Sequence, residues 1–230
     1  MKGRARTDAL LARYIAEGIF YVQNPNVLPR SRHLLAGKVN RPQAVDVTFA
    51  NGGLNVTGGH PWDLVERNIS RGSWQRTDAE GAFYHTIDDR TALIEKWPRI
   101  VAGRPDFIKI YLLFSNEYEQ RLTDTTANGF KGLNPQLVSE IVQRAHDAGL
   151  RVAAHIENVY DFRTAVNAGV DMMAHMPGYG WLGTSDSTQF MRKLGRLQDG
   201  HEASFLLLDA DPLADFAKVL RVVRRVKQGH

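Results

Sequence analysis

The second half of the chain alternates between two hydrophobic periods, and that alternation limits the fold more than any other feature. Residues 107–113 (Phe-Ile-Lys-Ile-Tyr-Leu-Leu), 151–155 (Arg-Val-Ala-Ala-His) and 170–175 (Val-Asp-Met-Met-Ala-His) read as short strands. Helical segments separate them. One opens at Asn134-Pro135, an N-cap followed by proline at the first helical position, and runs to Gly149. The next covers residues 160–167 and stops at Gly169. Strands that alternate with helices of this length form βαβ units on a parallel sheet, with right-handed crossovers.

Upstream the pattern is less regular. Asp8 is placed to cap a helix over residues 8–17, with Leu10, Leu11, Tyr14 and Ile15 at helical spacing and Gly18 ending it. Strands are expected over 19–22 and 44–49, with a loop from Asn24-Pro25-Asn26. The glycine-dense stretches Asn51-Gly52-Gly53 and Thr57-Gly58-Gly59-His60-Pro61 read as loops, and loops at strand ends commonly carry sites. A short helix over 91–97 is expected to stop at Pro98. Beyond residue 195 the texture changes to strands over 203–208 and 219–227 around an Asp209-Ala210-Asp211-Pro212 turn, which puts a boundary near 185–195.

A length of 230 residues fits one large domain, or one domain and part of another. The chain has no cysteine, which excludes disulfides, thiolate metal sites, iron–sulfur clusters and a cysteine nucleophile. A metal would therefore need His, Asp, Glu or a modified Lys. The 29 Lys and Arg against 25 Asp and Glu leave a net charge of only +4. The densest basic run, Lys218, Arg221, Arg224, Arg225 and Lys227, alternates with apolar residues and reads as one solvated face, so no nucleic-acid partner is expected. No apolar run reaches 18 residues, and the basic start lacks the apolar region of a signal peptide, so neither a membrane span nor a leader is expected. The compartment is not indicated.

Each of the three downstream strands carries a residue that a buried strand would not ordinarily hold. Lys109 lies inside an apolar strand, and a buried lysine must be paired, neutralised or chemically changed. His155 and His175 close successive strands, and in a parallel barrel the C-terminal strand ends converge on one mouth. One such histidine is usually a hydrogen-bonded structural residue. Two in consecutive units, with a lysine one unit earlier, favour a shared metal. Tyr111, two residues after Lys109 and on the same strand face, is a candidate substrate contact, with core packing as its ordinary alternative.

The stretches Asp106–Tyr111, 148–155 and 168–175 resemble the metal-dependent amidohydrolase superfamily, and within it the imidazolonepropionase-like and prolidase-like branch. Residues 195–213 are similar to the segment in which such enzymes return to a small β-sandwich. The resemblance implies an α/β fold: a partial or complete (β/α)8 TIM-like barrel over residues 1–190, and part of a composite β-sandwich over 191–230. It implies that Lys109, carboxylated, and His155 and His175 bind one or two divalent metal ions, zinc foremost. It also implies a metal-activated water that cleaves a C–N bond in a small amide, cyclic amide or dipeptide-like substrate. The Thr57-Gly58-Gly59-His60 loop resembles a substrate-side loop, with a capping role for His60 as the alternative. Gly183-Thr184-Ser185-Asp186-Ser187 resembles the end of the last barrel strand, which makes Asp186 the candidate proton shuttle, or else a turn aspartate.

The departures from the family are large. The His-x-His pair of its first barrel strand has no counterpart here, and only about twenty residues stand where two late βα units are expected. The chain is therefore expected to be part of a longer enzyme, which would be prone to pair with another copy, or a shortened relative. The alternative function is a catalytically inert barrel that acts as a binding or assembly module.

Overall fold

Parallel pairing runs through the centre of the computed structural model, which describes residues 2–178, 205–208 and 222–226. In chain order the elements are α1 (Lys2–Ala16), β1 (Tyr21–Asn24), α2 (Pro29–Leu35), β2 (Asp46–Phe49), β3 (Gly53–Asn55), α3 (Trp62–Ser70), β4 (Tyr84–Thr86), α4 (Arg90–Ala102), β5 (Phe107–Tyr111), α5 (Tyr118–Leu122), α6 (Val138–Asp147), β6 (Arg151–His155), α7 (Val159–Asn167), β7 (Met172–Met173), β8 (Phe205–Leu208) and β9 (Val222–Val226). The chain divides into two units. Met1–Val22, Gly37–Val47 and Lys193–His230 form one, and Gln23–Ala36 and Thr48–Arg192 form the other.

In the first unit, Lys38 pairs with Asp8, and β8 and β9 form an antiparallel ladder. These two strands fall where strands were expected over 203–208 and 219–227. The intervening turns, and the 183–187 segment with Asp186, lie outside the described residues.

The second unit holds a five-stranded parallel sheet in the order β4-β3-β5-β6-β7. β3, β5, β6 and β7 neighbour one another in chain order, as strands of a (β/α) barrel do, while β4 adds outside β3. Asp106 extends the arc toward β2, since its backbone N–H donates to Phe49 O (2.8 Å) and its carboxylate accepts from Phe49 N (2.8 Å). Among the described residues the sheet is an open arc, so the barrel is partial.

The two faces of β5 and β6 bury different partners because successive side chains point to opposite sides. Ile108, Ile110, Val152 and Ala154 join Leu54 beneath the helices, packed against Leu93 and Ile100 of α4, Phe162 and Ala165 of α7, and α6. Helix α6 contributes Val138, Ile141, Val142 and Ala145, which share one stripe at helical spacing. Fully burying an aliphatic side chain of this kind is worth about 1.5–3 kcal/mol. The opposite, inner face carries Phe107, Ala153 and Met172 with Ala50.

Capping follows the sequence signals. The Asn134 side chain accepts from Gln136 N, with Pro135 at the first position of a 3-10 turn that leads into α6. Asn158 and Asp161 form a reciprocal capping box on α7.

Four expectations need correction. Asp8 does not cap a helix over 8–17, because α1 already runs from Lys2 to Ala16 and Asp8 lies inside it. Helix α4 does not stop at Pro98 but continues to Ala102. Proline removes one N–H and disturbs one turn, yet Leu93 and Ile100, seven residues apart on the buried face, hold the helix to the core on either side. The Asn51-Gly52-Gly53 stretch is not all loop, because Gly53 begins β3. A Cβ on Gly53 would lie 2.5 Å from Tyr111 Cε2, so the glycine marks a close approach inside the sheet. Strand β5 ends at Tyr111 and not at Leu113. The sequence pattern also left α2, α3 and β4 unassigned. Among the described residues, no helix is long and apolar enough to cross a membrane.

Candidate active site

Strand register places the candidate residues. Tyr111 pairs with His155 and Lys109 with Ala153, so Lys109, Tyr111 and His155 share the inner face of the sheet. The β6–β7 ladder continues past β7 through Ala174 N to Ala154 O (2.8 Å), which carries His175 to the same end of the sheet as His155. His60 arrives from the loop after β3. That loop is pinned by bonds from Asn55 Nδ2 to Gly59 O (3.1 Å) and His60 O (3.0 Å), and from His60 N to Lys131 O (2.9 Å). Its glycines have a steric cause. A Cβ on Gly58, where φ is +69°, would fall 2.3 Å from Asn128 Oδ1, and one on Gly59 would fall 2.9 Å from Val56 O.

The rings form one cluster. His60 stacks on His155 with centroids 4.6 Å apart and planes 12° apart, and meets Tyr111 edge-on at 5.2 Å. Tyr111 and His155 are 5.7 Å apart, and His155 and His175 are 4.5 Å apart. Lys109 Nζ lies 5.0 Å from the Tyr111 ring centroid. The Tyr111 hydroxyl donates to Asn26 Oδ1 (2.5 Å), and Asn26 Nδ2 donates to Phe83 O (2.6 Å), so that ring is held in place and buried. Burial raises the Tyr111 pKa and keeps the hydroxyl protonated.

Lys109 is only 2% exposed, and among the described residues its amine has no hydrogen-bond partner. Burial pushes it well below the ordinary lysine value, toward the neutral amine. Burial, helped by Lys109 and the neighbouring imidazoles, pushes His155 down to about 2. His60 is also held below the usual imidazole value, chiefly by burial, against an opposing pull from Asp63.

Proton counting around the two strand-end histidines is informative. His175 Nδ1 lies 2.9 Å from Met176 O, and a carbonyl only accepts, so Nδ1 carries the hydrogen. A neutral His175 then turns the lone pair of Nε2 toward His155 Nδ1, 2.8 Å away. The other His155 nitrogen, Nε2, is buried without a hydrogen bond, and Glu157 Oε2 stands 3.5 Å from it. With the His155 proton on Nδ1, a bare Nε2 faces a carboxylate. With it on Nε2, two lone pairs face each other across 2.8 Å. Either way a lone pair faces an acceptor where a positive charge would fit, and burial of His155 opposes placing a proton on it.

A divalent ion between the inner nitrogens would supply that charge. The outer nitrogens then donate to Met176 O and toward Glu157, the arrangement usual for metal-bound histidines. Among the described residues no group of three His, Asp or Glu could hold a metal. A third ligand among the described residues would be of another kind, and buried Lys109 on the same face suits that role.

The sequence patterns thus lead to residues that converge: Lys109, Tyr111, His155, His175 and His60. Asp186 lies outside the described residues. Sequence reasoning missed Asn26, Asn55, Glu157 and Asp161. Asp161 is fully buried and accepts from Phe114 N, Ser115 N, Ser115 Oγ, Glu157 N and Asn158 N, which ties the loop after β5 to the segment after β6. The sequence analysis singled out neither Asp161 nor its capping partner Asn158.

No protein-family model and no curated protein matches the chain, whereas solved structures do. Three of them are at most 16% identical to the chain, and they bear out the expected fold class and the resemblance at the level of fold alone. Among them, Aspergillus niger ochratoxinase is matched at a TM-score of 0.56 and 15% identity, over 83% of this chain and 43% of that one. A prolidase complexed with N-methylphosphonate-L-proline is matched at 0.58 and 16%, over 98% of this chain and 78% of that one. Molinate hydrolase is matched at 0.59 and 14%, over 98% and 75%. The chain therefore spans less than half of the ochratoxinase chain and about three quarters of the other two.

Proposed function

We propose that the chain carries the site of a metal-dependent hydrolase that cleaves an amide-type C–N bond in a small molecule, such as a cyclic amide or a dipeptide-like compound. The observation that supports this reading is the His155 Nδ1–His175 Nε2 contact beside the unpartnered amine of Lys109. The names of the similar structures, among them a prolidase and a hydrolase, agree with it.

One or two divalent ions, zinc foremost, would be held by Lys109, His155 and His175. A bound ion supplies Lewis acidity toward a carbonyl oxygen and makes water acidic near neutral pH. Lys109 contributes its neutral amine. The nitrogen adds to carbon dioxide, releases one proton and becomes a carbamate, an anionic oxygen ligand. His155 and His175 contribute lone pairs, and each keeps its outer N–H toward Glu157 and Met176 O. His60 covers one face of His155 and restricts access of water. Asp186 takes a proton from the attacking water and delivers it to the leaving nitrogen.

The test is elemental analysis of the full chain purified with zinc, together with mass spectrometry of Lys109 after incubation with bicarbonate. Bound zinc and a carbamate on Lys109 are expected. A metal-free chain with unmodified Lys109 would overturn the proposal and favour the inert binding or assembly module. That second reading draws on the lack, among the described residues, of three grouped His, Asp or Glu ligands.

A further inference from the structure

Across the sheet from Lys109 lies a cavity of about 560 Å³, within the range of roughly 300–1,000 Å³ common for small-molecule sites. It opens between α2, α4 and the starts of β3 and β4. His85 pairs with Leu54 in register, and Leu54 packs beneath the helices, so His85 faces this outer side, whereas Lys109 and His155 face the inner one.

We infer that this cavity binds a small molecule bearing an oxyanion, a carboxylate or a phosphate. The guanidinium groups of Arg32 and Arg99 line it, and among the described residues no Asp or Glu does. Among the described residues Arg99 makes one hydrogen bond, Nη2 to Gly81 O (3.3 Å), and keeps its remaining donors. Arg32 is anchored to Asn51 Oδ1 and Arg104 O, with the Asp106 carboxylate 3.9 Å away. His85 is 8% exposed and lines the cavity, yet among the described residues its ring makes no hydrogen bond.

Two glycines seat these heads. A Cβ on Gly81, where φ is +78°, would lie 2.8 Å from Arg99 Nη2, and one on Gly52 would lie 3.1 Å from His85 Nε2. The backbone is bare where the guanidinium and the imidazole rest. The guanidinium fork suits a carboxylate or phosphate equally, and the His85 N–H supplies a neutral donor beside it.

The experiment is isothermal titration of the full chain with inorganic phosphate and, separately, with acetate, against sodium chloride at equal ionic strength. Saturable one-to-one binding of either anion is expected, and the anion that binds identifies the source. Arg99→Gln, a change on an exposed helix position, should weaken that binding about tenfold or more. Arg99→Lys, which keeps the charge and loses the fork, should weaken it less. Circular dichroism checks that each variant is folded. Absence of saturable binding with both anions, or binding that folded Arg99→Gln leaves unchanged, overturns the proposal.

Discussion

His155 Nδ1 and His175 Nε2 face each other at 2.8 Å, although the residues are twenty positions apart, one closing β6 and the other two residues past β7. Glu157 stands behind His155 at 3.5 Å and Met176 O behind His175 at 2.9 Å. Replacing either histidine with alanine should abolish stoichiometric zinc binding. Glu157→Gln, which keeps the size and removes the charge, should lower zinc affinity about 10- to 100-fold while the circular dichroism spectrum stays unchanged. Competition with a chromogenic chelator measures both effects, and an unaltered affinity in Glu157→Gln would remove Glu157 from the site.

Lys109→Met separates chemistry from stability. The substitution replaces a buried amine that has no partner with an apolar chain of similar length. In metal-free protein it should leave stability unchanged or raise it by about 1 kcal/mol, since a buried unsatisfied group carries a cost of that order. The same variant should lose hydrolysis and the response to bicarbonate. Urea titration and assays with and without bicarbonate test the two halves. A variant that unfolds, or keeps its activity, would contradict this account of Lys109.

The metal-free protein should be acid-sensitive. His60, His85 and His155 are all held below the ordinary imidazole value, mainly by burial, and His155 falls to about 2. Below about 6.5 the unfolded chain binds protons that the folded chain refuses, so stability rises with pH across that window and is lost as pH falls through it. Thermal melts between pH 4 and pH 8, roughly the range where histidine titrates, should show a falling midpoint below about 6.5. His155→Asn should flatten part of that slope.

Asp161 should matter as much for folding as the site residues do for chemistry. It is fully buried, and its carboxylate accepts five hydrogen bonds. While Asn158 still caps the helix, Asp161→Ala strands those donors and removes the reciprocal half of the α7 capping box, which should cost about 3 kcal/mol or more. Chemical denaturation measures the loss. A destabilisation under about 1 kcal/mol would show that the loop after β5 is held by other contacts.

Much of the parallel sheet was legible in the residue pattern. β5, β6, α6 and α7 show a clear period, with a recognisable cap at Asn134-Pro135, and local signals of this kind survive folding unchanged. Lys109, His155 and His175 stood out because each breaks an apolar strand. β3 and β4 did not stand out. β3 is three residues long and begins at a glycine demanded by the Tyr111 ring, and β4 is an equally short edge strand. The run of α4 through Pro98 was hidden for a related reason, since propensity was outweighed by core contacts on both sides of the proline.

The amino-acid order alone settled the alternation of strand and helix, the lack of sulfur ligands and the residue types available to a metal. These are properties of composition and near-neighbour periodicity. Folding was needed to bring the ring of His60 onto that of His155, to strip Lys109 of every hydrogen-bond partner, and to set Glu157 behind an imidazole nitrogen. It was also needed to put a cationic cavity on the face of the sheet opposite the histidines. Contacts between residues far apart in the chain, and the removal of water from around a charge, depend on how strands register and which face is covered, and no local pattern encodes either.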